Sequence, residues 1–146
     1  MSKQVIRPSK AAPAVGPYSQ AVRVGSLLFC AGQIPVDPVT GALVEGDVRA
    51  QTEQVLRNIG LILQDQGLTF DHVVKTTVFL VDLQEFTAMN EVYAKFFTRE
   101  HPARSTVQVA ALPKGARVEI EAIACYDAEK EHESAACGRS SAFGKS

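Results

Sequence analysis

The period of apolar residues changes several times along the chain, and each change marks an element. Val48, Thr52, Val55, Ile59, Ile62 and Leu63 recur at three- and four-residue spacing, which places them on one stripe of a long helix. Asp47 precedes that stripe, where its carboxylate can accept from orphan amides of the first turn, and Gly67 follows as a left-handed stop. A second helix is expected over 87–98, with Met89, Tyr93, Phe96 and Phe97 turned inward. Strand signals lie between and around these helices. Residues 5–7 read as a short first strand, and 21–24 and 27–31 flank Gly25-Ser26 like a hairpin. Residues 73–81 are dense in β-branched side chains and too apolar for a strand with one fully wet face, so this strand should be central.

Two further segments alternate strictly. In 105–111, Val107, Val109 and Ala111 share one face, and Thr106, Gln108 and Ala110 share the other with Arg104. In 117–126, Val118, Ile120, Ala122 and Ala124 oppose Arg117, Glu119, Glu121 and Ile123. The connection Leu112-Pro113-Lys114-Gly115-Ala116 is rich in turn formers and predicts a hairpin, which would bring Arg104 and the two glutamates onto one sheet face. The order ββ–α–β–α–ββ then describes an α+β layer with both helices on one side of the sheet. On the other side Val73, Phe79, Val81 and Ile123 fall with Lys75, Thr77, Glu119 and Glu121, a mixture that suits subunit contact better than plain solvent.

Composition narrows the function classes. A chain of 146 residues, 46% of them hydrophobic, can bury the core of one domain. A net charge of −1 with no Lys/Arg run offers no footprint for a nucleic-acid backbone, and no apolar run approaches the ~20 residues of a membrane span. The first acid is Asp37, so the N-terminus is mildly basic; a mitochondrial presequence is one reading of this, and cytoplasmic residence is the expectation. Cysteines at 30, 125 and 137 form neither a CxxC pair nor an even set, so no zinc site or disulfide framework is expected. Cys30, inside Leu27-Leu28-Phe29-Cys30-Ala31, reads as a small buried hydrophobe. His72, His101 and His132 are too scattered for metal ligands, and a surface or loop position is the default for each. From Asp127 onward Glu, Lys, Ser, Ala and Gly dominate, so 1–126 should be the domain and 127–146 a flexible tail.

The candidate chemistry lies in Pro102-Ala103-Arg104-Ser105-Thr106 and in Glu119-Ile120-Glu121. On pattern alone these residues are equally compatible with a solvated strand face carrying surface ion pairs. The string HPARSTVQVAALPKGARVEIEAIA, however, strongly resembles the signature of the RidA (YjgF) family of reactive-intermediate deaminases. Gly16-Pro17-Tyr18-Ser19-Gln20-Ala21, Ala31-Gly32-Gln33-Ile34-Pro35 and Val74-Lys75-Thr76-Thr77-Val78-Phe79 fit the same family in the same order.

The resemblance implies a chorismate-mutase-like fold, one mixed sheet with two helices on one face, assembled as a homotrimer with sites between subunits. It also implies hydrolysis of small 2-imino acids and their enamine forms, such as 2-iminopropanoate, to 2-oxo acids and ammonia, without metal or organic cofactor. Arg104 would grip the substrate carboxylate, since its planar fork makes two parallel charge-assisted bonds. Glu119, or less readily Glu121, would orient water and accept its proton; both lie on one strand face, so spacing does not choose between them. Tyr18 would aim a phenol at the site, Gly32 would allow close backbone approach to a ligand carboxylate, and Asn90 would line the pocket. Many relatives carry cysteine where this chain has Thr106; a backbone role for that position makes the change nearly neutral. Two other readings compete: RNA cleavage, a role also associated with the family, and a 2-oxo-acid-binding or chaperone-like trimer without turnover.

Overall fold

The computed structural model describes residues 2–128. The expected tail lies almost wholly outside the described residues, as does His132. Six strands form one mixed sheet: β1 (Lys3–Ile6), β2 (Ala21–Val24), β3 (Leu27–Gln33), β4 (Val73–Leu80), β5 (Ala103–Gln108) and β6 (Val118–Cys125). Their spatial order is β1-β2-β3-β6-β4-β5. Two helices, α1 (Val48–Asp65) and α2 (Phe86–Phe96), cover one face of that sheet.

α1 forms as its pattern requires. The Asp47 carboxylate accepts from the Ala50 amide at 3.1 Å, a cap worth about 1 kcal/mol, and Gly67 takes the left-handed φ of +73°. All six residues of the apolar stripe are buried. They pack against Leu28 of β3, Val78 and Leu80 of β4, and Val118 and Ile120 of β6, each fully excluded from solvent. From α2, Met89 and Tyr93 join this core, and Phe97 follows just beyond the helix. Phe96 is only partly buried and stacks edge-on to Phe70.

The predicted hairpin between β5 and β6 does not form. β5 runs parallel to β4 with Thr76 opposite Arg104 and Val78 opposite Thr106. β6 instead fills the slot between β3 and β4, antiparallel to both. Two physical reasons account for this order. The β4–α2–β5 connection is a crossover unit, which returns its second strand parallel to the first. A central strand also needs an apolar row beneath the helices. β6 supplies Val118, Ile120, Ala122 and Ala124, whereas β5 would place Arg104, Thr106 and Gln108 there, a row that only an edge tolerates.

The consequence for the site is direct. Arg104 shares the helix-covered face with Thr76, while Glu119 and Glu121 pair with Phe79 and Thr77 on the opposite face. Arg104 and the glutamates therefore lie on different faces within one chain, with β4 between them. Val73 also departs from the pattern. A register shift between Val73 and Lys75 turns it inward opposite Ala124, and it is buried in the core. The open face does mix exposed Leu27, Phe29 and Val107 with Lys75, Thr77 and Glu121.

Several smaller features are fixed by burial. Cys30 is buried, and desolvation pushes its thiol pKa up to about 12, as suits an inert hydrophobe. His72 is not a surface residue: it is buried, and its Nδ1 accepts from the Thr69 amide at 3.0 Å in a capping box. Among the described residues no helix is long and apolar enough to cross a membrane, and no group of three or more His, Cys, Asp and Glu could hold a metal ion.

Candidate active site

The candidate residues gather into two separate half-sites. The first is a cleft of about 480 Å³ lined by Tyr18, Gly32, Gln33, Lys114 and Glu119 together with apolar residues of three loops. The second is a shallower depression of about 340 Å³ that holds Arg104 and Asn90 with Tyr93, Ala94, His101 and Pro102.

A bulge builds the first half-site. β3 and β6 pair Cys30 with Ala122 and Gln33 with Ile120, leaving Ala31 and Gly32 opposite the single residue Glu121. Bulges of this kind re-aim a strand beside a site. Here the result is that Gly32 backs onto Glu119. A Cβ at Gly32 would lie 2.0 Å from Glu119 Oε2 and 2.9 Å from its Cδ, so only glycine leaves the carboxylate its place. Glu119 is half-buried, and its pKa is raised, first by desolvation and then by the charge of Glu121. A carboxylate in that state is a better proton acceptor when ionised. Glu121 is exposed and borders a different, smaller depression with Phe29, Lys75 and Thr77. The two glutamates that spacing could not separate thus occupy different surroundings.

Tyr18 approaches the cleft from the loop before β2. Gly16 takes a φ of +128° that a side chain would resist, and its carbonyl accepts from the Tyr18 amide at 2.9 Å. The ring stands half-exposed, and its hydroxyl accepts from the Val15 amide at 3.4 Å. Lys114 stands at a left-handed φ of 60°, and its ammonium donates to the Gly41 carbonyl at 3.2 Å, bridging two loops that border the cleft.

Aromatic rings build the second half-site. The Arg104 guanidinium lies 4.8 Å from the Tyr93 ring centroid and 5.5 Å from that of Phe86, both on α2. Tyr93 is itself fixed by a 2.7 Å hydrogen bond between its hydroxyl and that of Thr76. Burial raises the Tyr93 pKa, opposed by that hydrogen bond and by the Arg104 charge. Among the described residues no carboxylate pairs with Arg104. Asn90 Oδ1 and Thr106 Oγ1 are buried without a hydrogen-bond partner among them. A planar cation over the Tyr93 ring and near Phe86, with no carboxylate on its donors among the described residues, is suited to an anionic planar group.

A family model described as Endoribonuclease L-PSP matches residues 9–126. The chain belongs to this family, RidA (YjgF). Protein DfrA of Myxococcus xanthus is 52% identical over 126 residues, 85% of this chain and 96% of that one. The human protein named 2-iminobutanoate/2-iminopropanoate deaminase is 50% identical over 122 residues, 84% of this chain and 89% of its own. Among solved structures, that of E. coli TdcF with bound serine has a TM-score of 0.78 and 46% identity, covering 84% of this chain and 98% of that one.

Within this RidA-family chain, sequence reasoning passed over the lysine that borders the cleft. In the sequence Lys114 is part of a turn, and its charge between Pro113 and Gly115 is the signal that this turn carries more than geometry. The same reasoning also passed over Gln51, a polar residue beside the apolar stripe of α1. Gln51 Oε1 accepts from the Arg117 amide at 2.8 Å and so fixes the entry to the strand that carries Glu119.

Proposed function

We propose that the protein hydrolyses reactive 2-imino acids and their enamine tautomers to 2-oxo acids and ammonia. In this reading each site joins the Arg104 half of one subunit to the Tyr18–Gly32–Glu119 half of another in a homotrimer. The observation that carries the proposal is the Arg104 guanidinium, set beside the Tyr93 and Phe86 rings with no acid to neutralise it among the described residues. The relatives named deaminases at about 50% identity support the same chemistry. The structure of E. coli TdcF with bound serine supports a small amino-acid-like ligand for this site. The division of the site between two sheet faces supports composite sites, and the apolar residues left on the open face support the contact that would join them.

The chemistry needs few parts. Arg104 binds the substrate carboxylate through its fork, and the orphan acceptor of Asn90, which lines the same depression, can receive an N–H donor of the ligand. Glu119 takes a proton from water as its oxygen adds to the C=N carbon. Glu119 passes that proton to the nitrogen of the resulting carbinolamine, the C–N bond breaks, and ammonia leaves while the regenerated carboxylate takes the hydroxyl proton as the 2-oxo group forms. Tyr18 donates a hydrogen bond to the polarised centre. No covalent enzyme intermediate is required, and every charge is supplied by a side chain.

The test is ammonia release from an imino acid generated in place, measured with and without the protein. Acceleration supports hydrolysis. Binding of 2-oxo acids with no acceleration would favour a non-catalytic binding trimer. The family description also names RNA cleavage, but the two depressions hold only Arg104 and Lys114 as cations and His101 as a lone histidine, with no histidine pair to cleave a phosphodiester. Intact RNA after incubation under the same conditions is the expected result.

Two substitutions test the parts. Gly32→Ala should push the Glu119 carboxylate out of its place. Only the side-chain end must move, so the stability loss in a urea melt should be modest, about 1 kcal/mol. Turnover should fall far more than stability does. Thr106→Ala removes a buried hydroxyl that has no partner among the described residues, so unfolding free energy should stay level or rise. Its turnover should remain near that of the parent; near-complete loss would place the hydroxyl in the chemistry.

A further inference from the structure

A polar side chain inside the apolar stripe of a helix costs stability unless its partners satisfy it, so the partners show what it is for. Asn58 lies among Val55, Ile59 and Ile62 on α1 and is fully buried. Its amide nitrogen donates to the carbonyls of Ile34 at 3.2 Å and Val36 at 2.9 Å. Its oxygen accepts from Gln54 Nε2, one turn earlier, at 2.8 Å. Only this orientation of the amide makes three bonds, because the reverse would set oxygen against two carbonyls.

The segment so clamped is a wall of the first half-site. It leaves β3 directly after Gln33, and Ile34 and Val36 line the same cleft as Tyr18 and Glu119. On its other side the segment is tied only to the next loop, where Val36 bridges Leu43 antiparallel through the bonds from the Val44 amide to the Pro35 carbonyl and from the Asp37 amide to the Ala42 carbonyl; the Val36 amide also bonds back to Ile34. Ala12, Pro13 and Pro113 add apolar surface, and Gln20, Gln33 and Lys114 stand with Tyr18 and Glu119 as the polar part of the lining. With the carboxylate on Arg104 and the C=N carbon beside Glu119, the substituent on that carbon is the part left to meet this wall.

We infer that Asn58 is a positioning residue that holds the Ile34–Pro35–Val36 wall at the depth that selects 2-imino acids with branched apolar side chains over the alanine-derived imine. The inference rests on the deaminase reading above. A methyl substituent is too short to use the wall, whereas a leucine side chain fills it, and each methylene placed in a fitting apolar pocket is worth roughly 10-fold or more in selectivity.

The experiment compares the parent with Asn58→Ser and Gln54→Ala on the leucine- and alanine-derived imines. The affinities of 4-methyl-2-oxopentanoate and pyruvate are measured in parallel. The parent should favour the leucine-derived substrate. In Asn58→Ser its kcat/KM should fall about 10-fold or more, through KM, while the alanine-derived value moves within about threefold. Gln54→Ala, which removes the donor to the Asn58 oxygen but leaves its two bonds to the Ile34 and Val36 carbonyls, should shift the same ratio by less. If Asn58→Ser does not fold, Gln54→Ala decides alone by that ratio. Equal losses on both substrates, parental selectivity in the folded variants, or a parent that favours the alanine-derived imine would each overturn the inference. A parent that accelerates neither imine overturns the deaminase reading instead, and the ratio of the two 2-oxo acid affinities still judges Asn58.

Discussion

Arg104→Lys is expected to fold normally and to lose both substrate binding and turnover. Lysine keeps the charge, so any role that needs only a cation near Tyr93 and Phe86 would survive. What it cannot keep is the planar fork, which offers two parallel N–H donors to one carboxylate, or the full contact of a guanidinium with the Tyr93 and Phe86 rings. One charge-assisted hydrogen bond is worth ~1.5–3 kcal/mol, and misplacement of the substrate adds to its loss. A fall of about 10²-fold or more in kcat/KM follows, with a matching loss of pyruvate affinity by calorimetry. Folding should be little affected, because a partly exposed cation–π contact contributes only ~0.5–1 kcal/mol and lysine retains part of it. A lysine variant as active as the parent would require the deaminase reading to be abandoned.

Much of the fold is legible in the sequence because helical spacing and capping are local. The α1 stripe, the Asp47 cap and the Gly67 stop are each decided within a few residues, and each appears in the structure. Strand partners are not local. Alternation in 105–111 and 117–126 identifies two strands and their faces, but says nothing of which strand lies between them. The missing information is the crossover through α2, which commits β5 to the far side of β4. One clue was present: Arg104, Thr106 and Gln108 occupy a row that the helices would have to cover, and a polar row belongs at an edge. The register shifts at Cys30/Gln33 and Val73/Lys75 leave no such trace, so the contact between Gly32 and Glu119 and the inward turn of Val73 are visible only in three dimensions.

The candidate site was legible as a set of residues and not as an arrangement. Arg104, Glu119, Tyr18, Gly32 and Asn90 all border cavities, yet they fall into two groups because the sheet separates them. The polar residues on the buried side of α1, Gln51 and Asn58, carry the complementary lesson. Read as interruptions of a stripe they mean little, but each donates to or accepts from backbone next to the glutamate cleft.

Glu119→Gln should leave 2-oxo acid affinity largely intact and reduce imine turnover, since the amide keeps the shape of the side chain but cannot accept a proton from water. Loss of a general base costs ~10²–10⁴-fold, and spontaneous hydrolysis of the imine masks part of that fall. Glu121→Gln is the matched control. It removes the neighbouring charge that helps raise the Glu119 pKa, so the acid limb of the pH–rate profile should move to lower pH while the plateau rate holds. Normal turnover in Glu119→Gln together with loss in Glu121→Gln would reverse the assignment. The same variant tests the composite site when combined with Arg104→Lys. Each homomer should be nearly inactive, for lack of one half-site throughout. If neighbouring subunits supply the two halves around a ring, random mixed assemblies regain both native residues at about a quarter of their sites. Activity should therefore reappear on co-refolding the two variants, at up to about a quarter of the parental rate. Mixtures no more active than the sum of their components would mean that Arg104 and Glu119 do not meet across a subunit boundary.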